Sequence, residues 1–113
     1  MDKVAQYQSI IKNVLQKHAA GREPQMDEYE TQVVMDDVHG HYFLLGVGWK
    51  RYERILGTTL HIDLKKDKVW IQQDWTEPGI ALELEELGIP KSDIVLAFHA
   101  PYRRKLIEEY AAA

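Results

Sequence analysis

The chain predicts an α+β domain of two layers, and three patterns carry that expectation. Apolar residues recur at three- and four-residue intervals near the start, four β-rich runs then alternate apolar with polar residues, and a capped helical pattern precedes one last apolar run. At 113 residues one hydrophobic core is normal and two would each be marginal, so residues 1–113 read as a single domain. The expected order is an N-terminal helix, an antiparallel meander of about four strands, a helix, a short strand and a C-terminal helical tail.

Val4, Tyr7, Ile11, Val14, Leu15 and His18 form the stripe of the first helix, with Lys3, Gln8, Lys12 and Lys17 on its other faces. Asp2 is placed to cap it and Gly21 to end it, before a polar loop through Arg22-Glu23-Pro24-Gln25. The period then changes to two. Thr31–Met35 and Tyr42–Trp49 read as a hairpin around Asp37-Val38-His39-Gly40, where Gly40 can take a positive φ. Phe43, Leu45, Val47 and Trp49 share one face of the second run. Gly46 and Gly48 lie on the other, leaving a shallow strip open to a close neighbour or a small molecule.

The third strand spans about Ile55 to Leu64, with Leu60, Ile62 and Leu64 on one face and Thr59, His61 and Asp63 on the other. After a turn at Lys66-Asp67, Val69 and Ile71 point inward while Trp70, Gln72 and Asp74 point outward. The meander has one apolar side, and the first helix is its cover. Thr76 is expected to cap a second helix that opens on Glu77 and Pro78, buries Ile80, Ala81, Leu84 and Leu87, and turns Glu83, Glu85 and Glu86 to solvent. Gly88 and Pro90 end it. Ile94–Phe98 is apolar almost throughout and reads as a strand buried on both faces. Leu106, Ile107 and Tyr110 keep helical spacing after Pro101.

Composition removes several chemistries. With 45% hydrophobic and 28% charged residues the chain lies in the globular regime, away from disordered sequences. It contains no cysteine, which excludes thiolate zinc sites, iron–sulfur clusters and cysteine nucleophiles. The start, Met1–Ile10, has neither a basic head nor an unbroken apolar stretch, so a cytoplasmic location is expected. The net charge of −4 is the wrong sign for a free-standing DNA binder. The short basic clusters around Arg51, Lys66 and Arg103 fall at turns or near the chain end and are the candidates for any DNA contact, which is expected to be indirect or weak.

Candidate constellations follow from residue type. Asp63-Leu64-Lys65 has the acid-x-lysine spacing of metal-dependent nucleases, where the acid holds a divalent ion and the lysine helps position the attacking water. Such a site needs a further acid from a neighbouring strand. His39, His41, His61 and Asp63 could assemble into an imidazole–carboxylate metal site, because His61 and Asp63 share a face and His41 can pair across from it. Surface histidines on a polar sheet face are the plainer reading. Three Trp and six Tyr are a large aromatic allotment, and Trp70 stands out of phase with its buried neighbours, so it either marks an interface or lies under a later segment.

The blocks Leu60–Asp63, Val69–Asp74, Thr76-Glu77, Gly79–Ala81, Gly88–Lys91 and Asp93–His99, with Pro101 and Arg104 after them, together resemble the XisI family. The resemblance extends upstream through Tyr7, Ile10-Ile11, Val47-Gly48-Trp49 and Arg54, and so covers nearly the whole chain. Trp75 and the tail Leu106–Tyr110 depart from it. The resemblance implies a controlling factor for excision of an fdxN-type element, a DNA segment removed by site-specific recombination in cyanobacterial cells. Strand exchange belongs to a separate recombinase, and a XisH-type protein is the partner. No active site, cofactor or metal is implied. The expected function is therefore a non-enzymatic regulatory protein or adaptor, with homo-oligomerisation possible. Trp49, Tyr52, His61, Asp63, Trp70, Gln72 and Tyr102 are the candidate partner-binding residues. The alternative is a metal-dependent nuclease or phosphodiester enzyme centred on Asp63 and Lys65.

Overall fold

A computed structural model of the chain describes residues 2–20, 28–76, 79–107 and 109–112. The elements are α1 (Lys3–Ala20), β1 (Glu28–Asp36), β2 (His41–Lys50), β3 (Glu53–Lys65), β4 (Lys68–Asp74), α2 (Ile80–Glu86), β5 (Ile94–Leu96) and α3 (Pro101–Leu106), with one 3-10 turn at Lys91–Asp93. The expected α+β order is present. The five strands lie in one sheet in chain order, antiparallel from β1 to β4, with β5 added parallel to β4.

Asp2 caps α1 as its position suggests, its carboxylate accepting the Val4 N–H at 3.1 Å. The expected stop at Gly21, the loop after it, and Glu77 and Pro78 lie outside the described residues. Tyr7, Ile11, Val14 and Leu15 of α1 are buried on Tyr42, Leu44, Leu60, Ile62, Leu64, Val69 and Ile71. This is the buried side of the meander.

Three tight turns hold the hairpins, and that of β2 and β3 is Arg51-Tyr52, with Arg51 at φ 58°. Asp36 accepts the backbone N–H groups of Val38 and His39, and Gly40 takes φ 73°. The Gly40 carbonyl then accepts the Leu64 N–H at 2.8 Å, which ties this turn to the end of β3. Lys66 and Asp67 have φ 53° and 59°, the paired left-handed conformation of a two-residue hairpin turn.

Two β-bulges alter the phase that simple alternation predicts. Between β2 and β3 the register passes from Leu44↔Leu60 to Leu45↔Thr58, so Thr59 is the extra residue. Between β3 and β4 it passes from His61↔Gln73 to Ile62↔Ile71, so Gln72 is extra. Asp74 consequently pairs with the buried Leu60 and lies on the core side, contrary to the outward direction expected. There its carboxylate, and not Thr76, reaches the first turn of α2, whose N-cap position is held by Gly79. One carboxylate oxygen accepts the Ile80 N–H at 2.8 Å, and the other accepts the Thr76 backbone N–H and hydroxyl.

Ile80 and Leu84 of α2 are buried, but Leu87 is half exposed. Gly88, at φ 113°, turns the chain so that the following Ile89 enters the core instead, its N–H donating to the Leu84 carbonyl. Glu83 and Glu85 are not free in solvent as alternation suggested. Glu83 meets Lys17 at 3.2 Å and His18 at 2.7 Å, and Glu85 accepts the Tyr110 hydroxyl at 2.7 Å. Ile94 and Val95 are both fully buried, but β5 is shorter than the expected Ile94–Phe98: it ends at Leu96, the chain then turns, and Phe98 is half exposed. The C-terminal helix stops at Leu106; Tyr110 lies beyond it, and Ala111 bridges back to Val95.

Asp93 closes the fold. Its carboxylate accepts the Tyr7 hydroxyl at 2.5 Å, sits 2.8 Å from the Lys3 ammonium and 3.8 Å from that of Lys68, and so joins α1, β4 and the approach to β5. Burial alone would raise its pKa, but the Lys3 and Tyr7 contacts outweigh burial and hold the carboxyl below its usual range. A depressed folded-state pKa means that the stabilisation is present above the ordinary carboxylate value and is lost as pH falls through the lowered one. Asp93→Asn should cost about 1–2 kcal/mol at neutral pH and flatten the acid limb of stability below about pH 4, read by urea titration at successive pH values. Gly40→Ala should cost more than the about 1–2 kcal/mol of left-handed strain, because its Cβ would lie 2.2 Å from the Leu64 carbonyl oxygen. Gly57→Ala, with nothing within 4 Å of the new methyl, is the neutral control in the same urea titration.

Candidate functional site

The outer sheet face, opposite α1, gathers polar groups where β2, β3 and β4 run side by side. His41 pairs with Asp63 and Phe43 with His61, so alternation along two strands brings four side chains to one place. One carboxylate oxygen of Asp63 receives both the His41 Nδ1 and the His61 Nε2 at 2.8 Å. The other accepts an N–H of Gln72 at 3.2 Å, and Gln72 is the bulged residue of β4. Phe43 stacks on the His61 ring with centroids 4.1 Å apart and fixes its plane. Burial pushes the Asp63 carboxyl up, but the hydrogen bonds and charge of His41 and His61 prevail and hold it below the usual carboxylate range.

His39 does not join this group. It bonds Asp36 at 2.8 Å and stacks beside His41 at 6.5 Å between centroids. His41, His61 and Asp63 have ligand atoms within 4.8 Å of one another, and among the described residues no further carboxylate joins that set. Lys65 is also diverted: its ammonium lies 4.1 Å from the centroid of the Trp70 ring.

Trp70 is partly buried, with Arg104 of α3 beside its ring and part of the indole left open. The Arg104 guanidinium is 5.7 Å from the Trp70 ring, and the indole N–H donates to the Lys65 carbonyl at 3.3 Å. Val95, its partner across the β4–β5 pair, is fully buried. The remaining candidates are spread out. Trp49 and Tyr52 lie at the far end of the β2–β3 hairpin, where Trp49 stacks against Arg54 at 5.4 Å and Tyr52 is entirely exposed. Tyr102 is exposed on α3. Between these ends Phe43, Leu45, Val47 and Trp49 of β2, with Leu56 opposite Val47, make an apolar stripe running away from the histidines. The glycine strip offers less: Ile55 packs where a Cβ on Gly46 would meet it at 3.4 Å.

The sequence brings His39, His41, His61 and Asp63 together as a candidate metal set and Gln72 to the same face, and leaves out only Phe43; the structure keeps all of these but His39 in one cluster. The signal for this grouping was present in the hairpin register, since a Gly40-centred turn sets His41 opposite Asp63 once the strand lengths are fixed. No local signal could reveal the Tyr7–Asp93 contact, whose partners are 86 residues apart.

The profile of the XisI family, described as XisI protein, matches residues 1–112. The chain belongs to the XisI family. A XisI-like protein from Anabaena variabilis ATCC 29413, with a crystal structure at 1.30 Å resolution, superposes with a TM-score of 0.91 at 35% identity, over 97% of this chain and 99% of that one. The fdxN element excision controlling factor XisI from the same organism, at 2.19 Å resolution, superposes with a TM-score of 0.86 at 30% identity, over 99% and 100%. No curated protein matches. The helix-covered meander with its parallel fifth strand is therefore the XisI fold, and the blocks behind the resemblance supply His61, Asp63, Trp70 and Gln72 to its outer face. No described helix is long and apolar enough to cross a membrane.

Trp70 is the link between this face and α3 of the XisI fold. Trp70→Ala removes two cation–π contacts and part of the apolar cover, and should cost about 2 kcal/mol. Hydrogen exchange should rise more across 101–106 than in the central strands, which would locate the loss at α3 docking.

Proposed function

We propose that this chain is a non-enzymatic controlling factor in a site-specific DNA-excision system and acts by binding a XisH-type protein. The observation that carries the reading is the end-to-end match, at 30% identity, to the fdxN element excision controlling factor XisI. The geometry of the outer face supports the rest. A two-carboxylate nuclease site finds no support there, because among the described residues no second carboxylate joins Asp63 and because Lys65 rests on Trp70.

Direct DNA binding is disfavoured by charge and by distance. The chain carries a net −4, and although the clusters at Lys65-Lys66 and Arg103-Arg104 meet over Trp70, Arg51 caps the opposite end of the 13-residue β3, roughly 40 Å away at strand rise. A protein partner fits the apolar stripe better. Trp49 and Leu56 are exposed large side chains continuous with Leu45 and Val47, and Tyr52 projects from the turn beyond them.

Co-expression with a XisH-type protein tests this reading. The two proteins should co-purify, and Tyr52→Ala with Trp49→Ala should weaken the complex by about 2 kcal/mol, roughly thirtyfold in Kd, without lowering thermal stability. DNA cleavage that requires added manganese and vanishes in Asp63→Ala would overturn the non-enzymatic reading. A tight homodimer that ignores the co-expressed protein would overturn the adaptor role.

A further inference from the structure

We propose that His41, His61 and Asp63 bind one zinc-class divalent cation on the outer face of the β2–β3 pair, with a further coordination position open to solvent. The inference goes beyond the excision-control reading and departs from the plainer expectation that these histidines only solvate the sheet.

The donor set suits such an ion. Two imidazoles with one carboxylate, in a chain without cysteine, match Zn²⁺, Co²⁺ or Ni²⁺ better than Ca²⁺ or Mg²⁺, which prefer all-oxygen surroundings. The geometry is close to that required. His41 Nδ1 and His61 Nε2 each lie 2.8 Å from the same Asp63 oxygen. With metal–ligand bonds of about 2.0–2.2 Å, tetrahedral ligand atoms sit roughly 3.3 Å apart, so each ring nitrogen need withdraw by only about 0.5 Å. The cation would replace two N–H donors that now converge on one oxygen, and each neutral imidazole would turn its lone pair inward by shifting its proton to the other ring nitrogen.

The surroundings restrain the ligands. Phe43 fixes the His61 plane, and Gln72 holds the second Asp63 oxygen, which leaves the first one for the metal. Gln72 is also the bulged residue of β4, and bulges are frequent beside functional sites. His41 is half exposed, which provides both an entry path and the open position.

The test uses the untagged full chain freed of metal, titrated with ZnCl₂ by calorimetry and with CoCl₂ by visible absorption. One equivalent should bind, and Co²⁺ should show the intense visible bands of a low-symmetry site of four or five ligands. His61→Ala and Asp63→Ala should each lower Zn²⁺ affinity by about a hundredfold or more, Gln72→Ala by about tenfold, and the remote His99→Ala not at all. Zinc should raise the unfolding temperature of the parent chain and leave that of Asp63→Ala unchanged. Absence of stoichiometric binding by the folded parent chain, or undiminished binding in both His61→Ala and Asp63→Ala, would overturn the site. Neither readout involves the XisH-type partner, so failure here is distinguishable from failure of the adaptor reading.

Discussion

Strand β3 is paired on both sides, and its register against β2 and β4 decides where the other functional side chains of this fold point. Its inward residues, Leu60, Ile62 and Leu64, lie under α1, while His61 and Asp63 between them face the opposite way. A slip of one residue would exchange these sets, placing a carboxylate and an imidazole under α1 and three leucine-sized side chains in water. Burying an ionised group without compensating partners costs several kcal/mol, so the register is strongly specified. The Gly40 turn and the Lys66-Asp67 turn clamp the same end of β3, one by accepting the Leu64 N–H and the other by its two left-handed residues.

The bulges at Thr59 and Gln72 refine that register without breaking it. Each inserts one residue, so side chains beyond it change face relative to strict alternation. At Gln72 the change has two effects. It turns Asp74 inward to reach the first turn of α2, and it leaves Gln72 free of a ladder partner, with its amide on Asp63. A single extra residue in β4 thus serves both the core layer and the candidate site.

Those bulges also mark the limit of what could be read from the sequence. Helix α1, the hairpin, the alternation of β3 and the burial of Ile94 and Val95 were all legible, because each is a local pattern of period 3.6 or 2 or a run of apolar residues. The outward direction assigned to Asp74 and the cap assigned to Thr76 failed for one reason: a bulge leaves no compositional signature in a single chain. Leu87 was misplaced because the turn at Gly88 lets Ile89 take the core position instead. The Asp93 junction and the cover of Trp70 by Arg104 arise from contacts distant in sequence, which periodicity cannot report.

Function and stability are consequently separable along β3. The groups that hold the fold, Asp93 with Tyr7 and Lys3 and the apolar layer beneath α1, lie on one side of the sheet. His41, His61, Asp63, Gln72 and the stripe from Phe43 to Trp49 lie on the other. Substitutions on the outer face can therefore alter what the protein meets without opening the core, apart from Trp70, whose ring also supports α3. The Asp63 cluster would be an expensive way merely to solvate a sheet. It draws two histidines and a bulged glutamine onto one partly buried carboxylate at the root of an exposed apolar stripe. A carboxylate whose only task was solubility would do better fully exposed and unpaired, since ordering three partners around it costs side-chain entropy that water would not demand. The arrangement makes physical sense if the three side chains are held ready for the divalent cation proposed above.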